Sequence, residues 1–103
     1  MNTKAPIDTA VALLAAMAHP LRLRVLVTLS HAGPASVGVL QAQLEVEQSQ
    51  LSHQLRVLRD ARLVRGERAG KKVIYALADS HVERLVEDTL AHAAGICADE
   101  VGS

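Results

Sequence analysis

The chain has no Phe and no Trp, one tyrosine (Tyr75) and one cysteine (Cys97) among 103 residues, although half of them are apolar. Without large aromatic side chains the core has to be built from Leu, Val and Ala, and a chain rich in Ala and Leu favours helix. A single cysteine excludes an intrachain disulfide and any two-cysteine metal or redox pair within one chain. A disulfide between chains would be out of place in a reducing cytosol. No apolar run approaches the roughly 18 residues of a membrane span, and the N-terminus has neither the basic start nor the cleavage site of a signal peptide. A cytoplasmic protein without a membrane partner is therefore expected. Also missing are a glycine-rich phosphate loop, a nucleophile with an evident base and paired catalytic carboxylates, so an enzyme is not expected.

What is present is one domain's worth of chain, enough to bury roughly two-thirds of its unfolded surface. Lys plus Arg and Asp plus Glu balance at 11 each, but the charges are segregated. Between Gln50 and Lys72 lie Arg56, Arg59, Arg62, Arg65, Arg68, Lys71 and Lys72 against Asp60 and Glu67. From Asp79 to Glu100 the balance reverses, with Arg84 the only base among six acids. A neutral whole thus hides a basic segment of the kind that binds nucleic acid.

Asp8 is a plausible cap for a helix to about Ala18, and His19-Pro20 ends it. Pro20 can also open a second helix through about Ser30, because proline is tolerated in a first turn. HAGPA reads as a loop. Ser36 can cap a short helix, SVGVLQAQ, and LEVEQ turns the chain into a longer helix from about Gln48 to Ala61 with Leu51, Leu55 and Leu58 as its buried stripe. With Leu51 at zero and 100° per residue, Ser49, Ser52, His53 and Arg56 fall between about 100° and 200°, opposite the stripe. Two short β-branched runs, Leu63 to Arg68 and Lys71 to Leu77, flank Ala69-Gly70 as a hairpin with a basic tip. Ser80-His81-Val82-Glu83 fits a capping box at the start of a last helix. A short helix, a tight turn, a polar-faced helix and a basic hairpin make a winged helix-turn-helix. The fold expected is mainly α, an α+β winged helix of about five helices with a two-stranded wing, over residues 8–97 between flexible tails at 1–7 and 98–103.

Three stretches, AHPLRLRVL, SQLSHQLRVLRDARLV and RAGKKVIYAL, resemble the ArsR/SmtB family of winged-helix, metal-responsive transcription regulators in order and spacing. Two positions depart from the family pattern: Glu45 stands where a turn glycine is common, and Glu47 where the recognition helix often starts with a small hydroxyl residue. The resemblance implies a homodimer through the terminal helices, bound to a double-stranded operator. On that reading Ser49 and Ser52 bond phosphates or base edges, Arg56 neutralises a phosphate, and Gln50 and His53 read bases. Arg68, Lys71 and Lys72 would straddle the neighbouring minor groove.

His81 and His92 lie eleven residues apart, which puts them within about 20° of one helical side but about 16 Å apart along the axis. A metal at about 2.0 Å from each nitrogen cannot reach both within one chain. An antiparallel second copy, packed on the stripe Val82, Leu85, Val86 and Leu90, would bring His81 of one chain level with His92 of the other. Asp79, His81 and His92 are similar to the first three positions of the family's last-helix sensor site, while Gly95 occupies the fourth. Water, Asp88, Asp99, His19 or the N-terminal tail could complete the shell, with Cys97 a weaker choice. The short helix has no cysteine motif of the kind used at another family site, and His19 and His31 read as ordinary boundary residues. A thiol-poor set of Asp and His favours Zn(II), Ni(II) or Co(II). By resemblance the apo form represses and metal releases DNA. The alternative is the same DNA-binding dimer answering to a protein co-regulator, or to no ligand.

Overall fold

A computed structural model describes residues 4–102 of the chain. Five helices and three short strands follow one another as α1 (Lys4–Met17), α2 (Pro20–Ala32), β1 (Ala35–Ser36), α3 (Val37–Leu44), α4 (Gln48–Asp60), β2 (Val64–Ala69), β3 (Lys72–Leu77) and α5 (Ser80–Gly102). The order and the hairpin agree with the winged helix-turn-helix expected from the sequence.

The helix ends differ from expectation in ways the local chemistry explains. α1 opens at Lys4 rather than after Asp8, because Pro6 falls in the first turn, where a missing N–H breaks no intrahelical bond. Residues 4–7, expected as tail, are thus helical; residues 1–3 lie outside the described residues. At the other end, ICADE contains no helix breaker, and α5 runs through residues 98–102, also expected as tail. Ser103 lies outside the described residues.

The AHPLR stretch forms the corner between α1 and α2, which meet at 91°. His19, in extended backbone conformation, caps α2 by accepting on Nδ1 from the N–H groups of Leu21 and Arg22 at 3.2 and 3.4 Å. Pro20 fills the first helical position, and Arg22 donates from Nε back to the Ala16 carbonyl near the end of α1 at 2.6 Å. One pentapeptide therefore satisfies orphan groups of two helices.

Ser36 caps α3 as expected, its Oγ accepting from Val39 N at 3.3 Å. β1, read as loop from the sequence, pairs antiparallel with β3 through Ala35 opposite Tyr75 and Ser36 opposite Ile74, so the wing is the larger part of a three-stranded sheet ordered β1-β3-β2. In the hairpin Ala69 faces Lys72 across Gly70-Lys71. Gly70 has φ 63° and Lys71 a negative φ, the pattern of a type II′ turn. Tyr75 lies over Gly66, where an added Cβ would come within 3.3 Å of its ring. Leu63 N bonds Leu58 O, and Ala78 N bonds Leu63 O, which ties the base of the wing to the end of α4.

The core is aliphatic: Val25, Leu26, Leu40, Leu51, Leu55, Leu58, Leu63 and Val86 are sealed from solvent, and among the described residues no polar residue is buried as a whole, although Ser30 Oγ is a buried atom without a hydrogen-bond partner. The outline is flat, 47 × 44 × 22 Å, with a radius of gyration of 15.1 Å. A compact chain of this length would give about 13 Å. The excess comes with α1 and the far half of α5, which carry the exposed Ile7, Val11, Leu14 and Ile96.

Candidate DNA interface and metal-ligand edge

α4 divides cleanly. Leu51, Leu55 and Leu58 are buried, whereas Ser49, Gln50, Ser52, His53 and Arg56 are all exposed along the opposite side. The structure thus brings the five expected contact residues onto one solvent-facing surface. Arg68, Lys71 and Lys72 are exposed around the hairpin turn. A helix carrying hydroxyls, an amide, an imidazole and a guanidinium offers the donor and acceptor types that read base edges and grip phosphates.

The turn into α4 carries the two unusual acids. Glu45 adopts the left-handed conformation, φ 54° and ψ 48°, with its N–H bonded to Gln41 O at 2.8 Å. A side chain there is strained by about 1–2 kcal/mol. Glu47 occupies the cap position of α4 without a side-chain cap bond. Its Oε1 instead accepts from Ser49 Oγ at 2.7 Å, so that hydroxyl is engaged within the protein.

Two features of this face escaped the sequence reading. Arg62 also takes positive φ, 61°, where α4 gives way to the wing. Gln54, on the flank of the apolar stripe, is half-buried and accepts on Oε1 from an Arg22 guanidinium N–H at 2.8 Å. No local signal marks that pair, since 32 residues separate its members.

On α5, Asp79 rather than Ser80 is the cap: Asp79 Oδ1 accepts from Val82 N at 3.0 Å, and Asp79 O from Glu83 N at 3.2 Å. The cap is therefore displaced by one residue, and because Val82 then stands at the third helical position the expected capping box does not form. Asp79, His81 and His92 are all exposed, as are Asp88, Gly95, Cys97 and Asp99. Among the described residues no three His, Cys, Asp or Glu side chains of one chain come together as a metal site. His19 has its Nδ1 committed to the α2 cap, while the N-terminal tail expected as a donor lies in part outside the described residues.

The stripe of α5 is used differently from expectation. Val82 and Val86 are buried in the protomer's own core, leaving Leu85 and Leu90 half-buried and every residue from Ala91 to Glu100 exposed. The large apolar residues left exposed are Ile96 on α5 at 49%, Ile7, Val11 and Leu14 on α1 at 58, 61 and 51%, and, apart from these two helices, Val39 on α3 at 48%. An open apolar hollow between α1, α2 and α5 is lined by Leu14, Met17, Ala18, Leu23 and Thr89. A period-3.6 stripe marks the face to be covered without saying which neighbour covers it.

Residues 17–67 match the family described as "Helix-turn-helix domain". The chain is 43% identical over 93 residues to the HTH-type transcriptional regulator NmtR of Mycobacterium tuberculosis, covering 85% of this chain and 77% of that protein. It is 43% identical over 77 residues to the transcriptional repressor SmtB homolog of Synechocystis, covering 75% of this chain but 58% of that protein, which extends well beyond the matched part. Its fold superposes on HlyU of Vibrio cholerae with a TM-score of 0.78 at 36% identity, covering 88% of this chain and 96% of that one.

Proposed function

The chain belongs to the ArsR/SmtB family of winged helix-turn-helix transcription regulators, and from that premise we propose that it works in the cytoplasm as a homodimer whose affinity for an operator is set by a divalent metal held between subunits. The observation that carries the DNA reading is the division of α4, with three leucines inside and five polar residues exposed outside. Each α4 enters a major groove, and the two copies read half-sites about one turn of DNA apart. Ser52 and Arg56 hold phosphates, Ser49 joins them once its hydroxyl turns away from Glu47, Gln50 and His53 read base edges, and Arg68, Lys71 and Lys72 follow the backbone on either side of the minor groove.

The dimer seam runs along the exposed apolar faces of α1 and the far half of α5. Asp79 and His81 of one subunit and His92 of the other are the ligands. The donor set fits: two exposed imidazoles and a carboxylate, one of whose oxygens is left over from capping, suit Ni(II), Zn(II) or Co(II) rather than soft ions. A bound cation supplies a bond across the seam. Clamping the start of one α5 to the far half of the other changes how the two reading heads are held, and a coupling of roughly 1–3 kcal/mol makes a working switch. The apo dimer represses and the metal form releases the operator.

The test is fluorescence anisotropy on the DNA upstream of the gene across a salt series, with and without each metal. Arg56→Ala is expected to weaken binding to every sequence and to reduce the salt dependence by about one unit of slope. Unchanged affinity and slope would remove α4 from the interface. A second reading keeps the DNA-binding dimer and replaces the metal by a protein co-regulator or no signal. It is favoured by Gly95, which offers no ligand at the fourth position and has open space around it. Operator binding indifferent to Zn, Ni and Co would select it.

A further inference from the structure

Arg22 holds two elements at once. Its Nε donates to Ala16 O, one residue before the end of α1, at 2.6 Å, and its Nη1 donates to Gln54 Oε1 on α4 at 2.8 Å. Both residues of the side-chain pair are half-buried. A guanidinium is planar, so two bonds from one fork fix their acceptors relative to each other as well as to the arginine. The stem of Arg22 is itself fixed, because its own N–H is one of those capped by His19.

Gln54 stands between the buried stripe and the exposed face of α4, next to His53 and one turn from Gln50. A bond there resists rotation of the helix about its axis. Side-chain tips travel on a radius of about 6 Å, so a 20° rotation displaces them by roughly 2 Å. That exceeds the spread of distances over which hydrogen bonds to base edges survive. α1, at the other end of the fork, carries the exposed Ile7, Val11 and Leu14.

We infer that Arg22 is a positioning residue for DNA binding, which locks the rotation of α4 to the seat of α1 through Gln54 Oε1 and Ala16 O. The inference rests on the proposal that α4 reads DNA. A contact between Arg22 and a phosphate is the competing account; it would use a guanidinium N–H other than the two that donate to Ala16 and Gln54, and it would show in the salt dependence.

The experiment is anisotropy on the operator with the full-length dimer, comparing Arg22→Met, Gln54→Met, the double variant and Arg56→Ala, with helicity and thermal midpoint measured for each. Each Met variant is expected to weaken operator binding roughly tenfold, the scale of one charge-assisted hydrogen bond. The double variant should be no more than about twofold worse than the weaker single, because both changes break one link. The salt slope should stay at the wild-type value, since no phosphate contact is lost. Gln54→Met keeps the bond to Ala16 and carries the test if Arg22→Met does not fold. Wild-type affinity in folded Gln54→Met overturns the inference, as do additive losses with a flatter slope for Arg22→Met. If Arg56→Ala weakens binding while Gln54→Met does not, the positioning role fails and the DNA reading stands. If neither changes binding, both fail.

Discussion

Replacing Glu47 by Ser probes stability and DNA binding through one side chain. Glu47 sits at the cap of α4 yet makes no cap bond, leaving the first-turn N–H groups to solvent. Serine there accepts from the backbone two or three residues on, worth about 1 kcal/mol against a non-capping residue. Against this, the carboxylate is favourably placed at a helix N-terminus, worth about 0.3–1 kcal/mol. The net expectation is a stability gain of about 0.5 kcal/mol or less, read from urea unfolding. DNA binding should change more. If α4 enters a groove by this end, the carboxylate approaches phosphates, and like charges about 4 Å apart in water repel by about 1 kcal/mol. That corresponds to roughly fivefold in affinity. The substitution also releases Ser49 Oγ, now bonded to Glu47 at 2.7 Å. Operator affinity should therefore rise at least fivefold at low salt, with the advantage shrinking as salt screens the repulsion. Glu47→Gln removes the charge but keeps an acceptor for Ser49, so the two contributions separate. Affinity that is unchanged or lower in Glu47→Ser, with the fold intact, would refute the placement of this end of α4 beside the phosphates.

Two further outcomes follow from the geometry. Glu45→Gly relieves a left-handed backbone and should stabilise by about 1 kcal/mol, raising the thermal midpoint by about 4–8 °C; a lower midpoint would contradict the strain. Val11→Asp, at a position 61% exposed, should leave the protomer's stability within about 0.5 kcal/mol while shifting sedimentation from dimer to monomer. A variant that sediments as wild type would take α1 out of the seam.

The parts of the fold legible from sequence were those whose signal is local. Leu51, Leu55 and Leu58 repeat at helical spacing, Ser36 supplies its own cap, and Gly70 provides the positive φ that the hairpin turn needs. β1 was not legible, because two residues have no period and Ala35-Ser36 becomes a strand only against Tyr75 and Ile74. Asp79 and Ser80 are equally good caps in a sequence; the path of the chain out of β3 decides for Asp79. The corner at His19 and Arg22 reads as a motif, but its bonds to Ala16 and Gln54 depend on how three helices meet. Similarly, the apolar stripe of α5 was visible, whereas its division between the protomer's core at Val82 and Val86 and an exposed remainder was not. The proposal of Asp79, His81 and His92 as a ligand edge rests on their resemblance to the family's sensor positions, and the spacing of the two histidines adds that one chain cannot bring both to one metal.

That requirement for two chains is the central claim, and mixed dimers test it most directly. In an inter-subunit arrangement, dimers of His81→Ala alone or His92→Ala alone lack a histidine in both sites. A heterodimer of one chain of each kind joins the remaining His81 to the remaining His92 and so restores one site. Metal titration of the three species, with stoichiometry read per dimer, should give high-affinity binding of two ions to wild type, none to either variant homodimer and one to the heterodimer. A heterodimer as empty as its parents, or variant homodimers that still bind two ions with wild-type affinity, would contradict the account.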